Sequence, residues 1–147
     1  MKCIFCSCED TRVLDKRDSE GTTRRRRECM KCEKRFTTYE RAEITLTVLK
    51  KDGKKEEFSR EKMKAGIMKA FTNRPVTEEQ IEDIVDEIEA RLVSLGPEIG
   101  SNTIGDLIMK KLKKVDKVAY IRFASVYREF DDIESFEKEL KALKKAT

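Results

Sequence analysis

The chain has 147 residues, 42% charged and 38% hydrophobic, with 33 basic and 29 acidic side chains and a net charge of +4. It contains no histidine, no P-loop and no dinucleotide-binding glycine pattern, which argues against imidazole-based catalysis and metal sites with histidine ligands. It also has no apolar stretch near the roughly 20 residues that span a bilayer and no apolar segment typical of a secretory signal, so we expect a cytoplasmic protein that does not contact a membrane.

The excess positive charge and the cysteines lie in the same part of the chain. Residues 1–42 hold 12 Lys/Arg against 8 Asp/Glu, whereas residues 43–147 hold 21 of each. All five cysteines also lie before residue 42. We therefore predict two domains, residues 1–42 and residues 43–147.

Four of the cysteines form two C-x2-C pairs, Cys3 with Cys6 and Cys29 with Cys32, with 22 residues between the pairs. Each pair can form a tight knuckle that directs two sulfurs at one point, and two knuckles complete the tetrahedron of a structural Zn²⁺ site. The alternatives are inert thiols or disulfides, and disulfides are disfavoured in a cytosolic protein. Cys8 is expected to be a free thiol. Because so short a segment cannot build a stable apolar core, bound metal should supply its folding free energy.

Short strands are predicted at Thr11–Asp15, Thr23–Glu28 and Arg35–Glu40, with a turn at Ser19–Thr22. Cysteine knuckles on a small antiparallel sheet describe a zinc ribbon.

The second of these strands carries the densest charge cluster in the chain, Arg24, Arg25, Arg26 and Arg27, with Lys16 and Arg17 across the predicted hairpin. Alternate residues of a strand point to opposite faces, so Arg24 and Arg26 should share one face and Arg25 and Arg27 the other. These side chains either solvate an exposed ribbon or bind a polyanion. We favour duplex DNA or RNA, because no acidic run nearby relieves the repulsion between the arginines.

The second domain begins with a predicted strand, Glu43–Lys50, and the turn signal Asp52-Gly53 leads to a return strand, Lys54–Phe58. Ser59 then caps a helix to about Asn73, and the capping box at Thr77–Gln80 opens another that ends at Gly96-Pro97. A third short strand is expected at Ile99.

Three further helices should follow. The first is capped within Ser101–Thr103, the second covers Val118–Phe130, and the last starts after Asp131 or Asp132. Their apolar stripes predict a helical bundle with a small β-sheet cap, so the chain as a whole is α+β. The stripe of the last helix either joins this core or packs against another subunit.

We expect no enzyme, because most carboxylates of this domain fall at surface-like helical positions and no nucleophile–base pair is available. Lys50 and Lys51 lie at a strand end, and Lys62 lies in the first turn of the next helix. They are either ordinary surface lysines or a phosphate site beside a helix N-terminus.

Taken together, these motifs resemble the NrdR repressors of bacteria. The resemblance is carried in the first half by both C-x2-C pairs, the Thr11–Arg17 segment, the arginine run and Arg35–Glu40. In the second half it is carried by Val48–Gly53, Phe58–Lys62 and Val118–Tyr127. It implies a zinc ribbon joined to an ATP-cone. In that family the ribbon binds operator boxes in double-stranded DNA upstream of ribonucleotide reductase genes, and ATP or dATP in the cone controls the homo-oligomer and repression.

The resemblance also implies residue roles. Lys50, Lys51 and Lys62 would contact nucleotide phosphates, Val48 and Glu56 would lie near the base or ribose, and Arg17 with Arg24–Arg27 would face DNA. This sequence departs from the family pattern at Ile4, where proline is usual, at Ser7, where glycine is common, and at Lys16, where serine is usual. Lys51 replaces the usual arginine, which keeps the charge and loses the planar guanidinium.

The leading hypothesis is therefore a nucleotide-responsive transcriptional repressor, located in the bacterial cytoplasm and associated with the nucleoid. The alternative is a regulatory adaptor that acts on the ribonucleotide reductase protein through the cone rather than on DNA.

Overall fold

The structure is a computed structural model that describes residues 1–145, so the last two residues of the predicted second domain lie outside the described residues. The chain divides into two compact units, Met1–Ile44 and a second unit that begins at Thr45. The α+β prediction is confirmed: strands make up the regular structure of the first unit, and the second combines helices with a small sheet.

The first unit contains a three-stranded antiparallel sheet with β2 in the centre: β1 (Thr11–Ser19), β2 (Thr22–Cys29) and β3 (Arg35–Arg41). Glu20 and Gly21 form the β1–β2 turn, and both have positive φ, as the tight hairpin turn requires. The predicted end of β1 at Asp15 is wrong, because the strand pairs with β2 as far as the turn. A β-bulge between Val13 and Asp15 shifts the register, so the alternation expected of one continuous strand is broken at this point of the sequence.

A second three-stranded sheet lies in the second unit. Its central strand β4 (Thr47–Leu49) runs antiparallel to β5 (Lys55–Glu57) and parallel to β6 (Glu98–Gly100). The predicted strand Glu43–Lys50 is therefore too long, because both partner strands offer only three residues to pair with. The predicted hairpin turn is confirmed: Lys50 N donates to Lys54 O, and Gly53 has a φ of 85°.

The helices are α1 (Arg60–Ala70), α2 (Glu78–Ser94), α3 (Ser101–Val115), α4 (Lys117–Tyr127) and α5 (Ile133–Lys145). Ser59 caps α1, and the capping box of Thr77 and Gln80 opens α2, both as predicted. Asp132 Oδ1 accepts a hydrogen bond from Ser135 N in the first turn of α5, which confirms that cap as well.

Three predicted helix boundaries are wrong. α1 ends at Ala70, before Asn73, which is in the left-handed region with a φ of 59°. α4 starts at Lys117, capped by Asp116, and ends before Glu129, whose φ is also positive. α3 has no side-chain cap, because it begins directly after β6 and Gly100 occupies its cap position.

The core of the second unit lies between α1, α2, α3 and α4, where Ile67, Val85, Leu92 and Leu112 are fully buried. The stripe of α5 joins it only in part: Leu143 is buried, Phe136 and Leu140 are half-buried, and Ile133 is 76% exposed. None of the described helices is both long enough and apolar enough to cross a membrane.

Candidate functional site

The two C-x2-C pairs bring four sulfurs together. The Sγ atoms of Cys3, Cys6, Cys29 and Cys32 all lie within 4.8 Å of one another. Cys3 Sγ is 3.7 Å from Cys32 Sγ, and Cys6 Sγ is 3.5 Å from Cys29 Sγ. Sulfurs bonded to one tetrahedral Zn²⁺ at about 2.3 Å are separated by about 3.8 Å, whereas a disulfide needs about 2.05 Å. The spacing therefore fits a four-thiolate zinc site.

Both knuckles have the same backbone. Ser7 N donates to Cys3 O, and Glu33 N donates to Cys29 O, with φ of 61° and 60° at the two donor residues. The left-handed region favours glycine, which explains why glycine is common at the Ser7 position in the family that the chain resembles.

Backbone amides also point at the sulfurs. The amides of Cys32 and Lys31 donate to Cys29 Sγ, at 3.4 and 3.3 Å, and lower the pKa of Cys29 to about 6. Because the thiolate is the metal-binding form of cysteine, these amides favour the form of Cys29 that binds a cation. Cys8 lies outside the four-sulfur cluster and packs beside Cys3, Cys29 and Phe36.

The arginine run occupies the central strand of the sheet. The register places Arg24 and Arg26 on one face and Arg25 and Arg27 on the other, as the alternation predicted. Arg25 Nη1 donates to Glu40 Oε2 at 2.7 Å, and Arg27 Nε donates to Thr38 Oγ1 at 3.1 Å.

Among the described residues no acidic run lies beside the basic cluster, as the sequence indicated, but single carboxylates do pair with it. Lys16 pairs with Asp18 at 3.3 Å, and Arg17 pairs with Asp15 at 3.4 Å. These carboxylates are spread along the strands rather than gathered in a run, and pairing brings them beside the basic side chains.

Three further arginines of this sheet were missed: Arg12, Arg35 and Arg41. Arg12 and Arg35 reach Glu28 from opposite sides, and their hydrogen bonds lower the pKa of that carboxyl, Arg35 having the larger effect. Both lie opposite Glu28 in the strand register, so only the pairing of three strands reveals that they share a face with Arg24 and Arg26.

The second unit holds a cavity of about 240 Å³ beside β4 and the N-terminus of α1. Three predicted nucleotide-binding residues line it: Val48, Glu56 and Lys62. Sequence analysis assigned Met63, Ile104 and Ile108 to the bundle core. The rest of the lining was missed as well: Phe58, Ser59, Gly66 and Phe123. No sequence signal distinguished these side chains from ordinary core residues.

Glu56 lies between two of the predicted phosphate ligands. Lys50 Nζ is 2.8 Å from Glu56 Oε2, and Lys62 Nζ is 3.9 Å from Glu56 Oε1. The hydrogen bond with Lys50 lowers the pKa of Glu56 and raises that of Lys50. The carboxylate thus holds two ammonium groups at the rim of the cavity.

The Lys51 ammonium lies beside Tyr127 instead, with its Nζ 5.9 Å from the ring centroid. Tyr127 lines a second cavity of about 550 Å³, together with Lys69, Arg122 and Val126. Gly66 and Phe123 border both cavities. The structure therefore brings Lys50 and Lys62 together around Glu56 and places Lys51 by the neighbouring cavity.

Both parts of the chain match known protein families. A family model described as "Transcriptional repressor NrdR-like, N-terminal domain" matches residues 1–40, and one described as "ATP cone domain" matches residues 46–133. The "Transcriptional repressor NrdR" of Pelotomaculum thermopropionicum is 56% identical over 147 residues, covering 97% of this chain and 89% of that protein. The protein of the same name from Petrotoga mobilis is 54% identical over 148 residues, covering 98% of this chain and 99% of that protein.

Proposed function

Because the chain belongs to the NrdR family of transcriptional repressors, we propose that it binds operator boxes in duplex DNA upstream of ribonucleotide reductase genes and that adenine nucleotide controls this binding. The observation that carries the proposal is the presence of two separate sites in one chain. One is a four-sulfur cluster that supports an arginine-bearing sheet, and the other is a cavity with lysines at its rim. The protein acts in the bacterial cytoplasm, in contact with the nucleoid.

In this proposal Cys3, Cys6, Cys29 and Cys32 hold one structural Zn²⁺. The ion fixes both knuckles against the end of the sheet, where Phe36 is the only large side chain in a small buried cluster with Cys3 and Cys29. So small a core contributes little stability, so the metal supplies most of the folding free energy of the ribbon. Lys16, Arg17 and Arg24–Arg27 provide the positive surface for DNA.

Lys50 and Lys62 bind the phosphates of ATP or dATP near the N-terminus of α1, where the helix dipole also favours an anion, and Lys51 contacts them from the side of the neighbouring cavity. The apolar lining beside Val48 accepts the adenine base. Glu56 lines the same cavity, and its carboxylate can accept a hydrogen bond from the amino group of the base or from a ribose hydroxyl. Binding alone is sufficient for control, and no turnover of the nucleotide is required.

Control follows from linkage. A nucleotide that binds two homo-oligomeric assemblies with different affinity shifts the balance between them. If only one assembly holds two ribbons at the spacing of two operator boxes, filling both boxes at once raises the affinity through effective concentration. Nucleotide in the cone thereby changes DNA affinity without touching the ribbon.

Two sets of variants test this division of roles. Replacing all four arginines of the run, Arg24–Arg27, by glutamine should abolish the shift of a reductase promoter fragment in a gel and leave ATP affinity unchanged in calorimetry. Lys50→Ala and Lys62→Ala should weaken ATP binding and leave the metal-dependent affinity for DNA without nucleotide unchanged.

If the arginine variants retain promoter binding, the repressor proposal is wrong. Co-purification of the wild-type chain with the reductase protein, in the absence of promoter binding, would support the adaptor role instead.

A further inference from the structure

We infer that the ribbon binds duplex DNA with one face of its sheet only, the face that carries Arg24 and Arg26, while the opposite face serves the fold. We call these the Arg24/Arg26 face and the Arg25/Arg27 face. The inference rests on the proposed DNA binding and adds to it which arginines make the contacts. It replaces a run of four equivalent arginines by two pairs with different roles.

The charges divide unequally between the two faces. The register places six arginines and two carboxylates on the Arg24/Arg26 face: Arg12, Arg17, Arg24, Arg26, Arg35 and Arg41 with Asp15 and Glu28. It places three basic and two acidic side chains on the other face: Lys16, Arg25 and Arg27 with Asp18 and Glu40. The first face thus has a formal excess of four positive charges, and the second an excess of one.

The Arg25/Arg27 face is partly neutralised and partly covered. Arg25 pairs with Glu40, Lys16 pairs with Asp18, and Arg27 donates to Thr38. Phe36 lies on the same face and is only 6% exposed. Phe5 of the first knuckle packs edge-on against its ring, with the centroids 6.4 Å apart. The knuckle therefore covers the end of this face, which restricts the approach of a duplex.

The Arg24/Arg26 face carries the groups that a duplex would use. Arg26 is exposed, and its Nη1 lies 3.4 Å from Thr37 Oγ1. Arg41 stacks over the ring of Tyr39, 4.7 Å from its centroid, which orders a guanidinium at the margin of the face. Arg12 and Arg35 share Glu28, which keeps two more guanidinium groups in place. Three strands spaced about 4.8 Å apart are about 10 Å across, and the major groove of B-DNA is about 12 Å wide.

A matched pair of double variants tests the assignment, because each removes two charges from the same strand. In fluorescence anisotropy with a labelled reductase promoter duplex, Arg24→Gln/Arg26→Gln should weaken binding at least about 25-fold, which corresponds to roughly 1 kcal/mol for each lost arginine contact. Its salt dependence, the slope of log K against log salt, should fall by about 2. Arg25→Gln/Arg27→Gln should change affinity less than about threefold. Zinc content and far-UV circular dichroism check that both variants are folded.

A second pair places a carboxylate on each face at neighbouring residues and avoids the arginines altogether. Thr37 and Thr38 are both half-buried, and each accepts a hydrogen bond from one arginine of the run. Thr37→Glu should repel the duplex and weaken binding at least about tenfold, and Thr38→Glu should have little effect.

Equal losses for the two members of either pair, in folded protein, would overturn the face assignment while leaving the proposed function intact. If the wild-type protein binds no promoter duplex under any nucleotide condition, both the function and the face assignment are wrong.

Discussion

Replacing Arg60 by methionine should destabilise the second unit more than any loss of a surface charge would. Arg60 is the first residue of α1, and its guanidinium contacts three carboxylates of α2: Glu82 at 2.9 Å, Asp86 at 2.6 Å and Glu89 at 3.4 Å. These side chains are only 9%, 5% and 11% exposed. Lys64 on α1 also contacts Glu82.

The expected loss of unfolding free energy follows from the buried negative charge that stays on α2 when Arg60 is removed. Removing one partner of a buried ion pair costs about 3–5 kcal/mol, because the remaining charge stays buried without compensation. The side chain of Arg60 is 18% exposed and Lys64 stays in place, so we expect the lower end, about 3 kcal/mol at pH 7. For a unit of roughly 100 residues this lowers the melting temperature by about 12–24 °C.

The loss should also depend on pH. Desolvation alone would raise the pKa of Glu82, but hydrogen bonds from Lys64 and Arg60 outweigh it and hold that pKa below its ordinary value of 4.5. A carboxyl with a lowered folded-state pKa stabilises the fold above its unfolded pKa and loses that contribution as pH falls through the folded value. The difference in the free energy of unfolding between Arg60→Met and wild type should therefore become smaller below about pH 4.5.

Urea unfolding followed at 222 nm measures this directly, because every described helix belongs to the second unit. Lys62→Met is the matched control, because Lys62 lies on the same helix and its side chain is 76% exposed. It should change the free energy of unfolding without nucleotide by less than about 0.5 kcal/mol. A loss below about 1 kcal/mol for Arg60→Met at pH 7, or the same loss at pH 4 and pH 7, would refute this reasoning.

Three further predictions concern the metal and two helical glycines. A chelator that removes the metal should collapse the amide NMR dispersion of the first unit and leave the circular dichroism of the helices in the second unit at 222 nm unchanged. Amide dispersion that persists after verified metal loss would contradict a metal-stabilised ribbon. A Cβ at Gly66 would meet nothing within 4 Å, so Gly66→Ala should stabilise the protein by about 0.5–1 kcal/mol in urea unfolding. Because Gly66 lines the cavity, the larger side chain of Gly66→Leu should fill it and abolish ATP binding in calorimetry. A Cβ at Gly105 would overlap the ring of Tyr127, so Gly105→Ala should destabilise the protein by about 1–2 kcal/mol in urea unfolding. A gain in stability would show that the ring moves aside freely.

Local sequence rules explain which features could be predicted. Cysteine spacing, the capping box at Thr77 and the Asp52-Gly53 turn each depend on residues close together in the chain, and each is found in the structure. The alternation of the arginines also follows from one strand alone. These signals are local, so no knowledge of the packing was needed to interpret them.

The features that were missed depend on contacts between elements. Most carboxylates of the second unit were expected at the surface, and the sequence did not show that Glu82 and Asp86 are buried, because Arg60 on α1 lies across from them. The shared face of Arg12 and Arg35 likewise requires three strands in register, and the bulge after Val13 shifts that register. Lys50 and Lys51 are neighbours in sequence, yet one faces Glu56 and the other Tyr127.

The most direct test of the account is the affinity of the zinc-loaded protein for its promoter duplex, measured by fluorescence anisotropy without nucleotide, with ATP and with dATP. We predict that the dissociation constant differs between at least two of these conditions by about 5- to 150-fold, the usual range for coupled sites. We also predict that Lys62→Ala removes this difference while zinc stays bound. A dissociation constant that is the same under all three conditions would contradict the claim that nucleotide in the cone controls DNA binding by the ribbon.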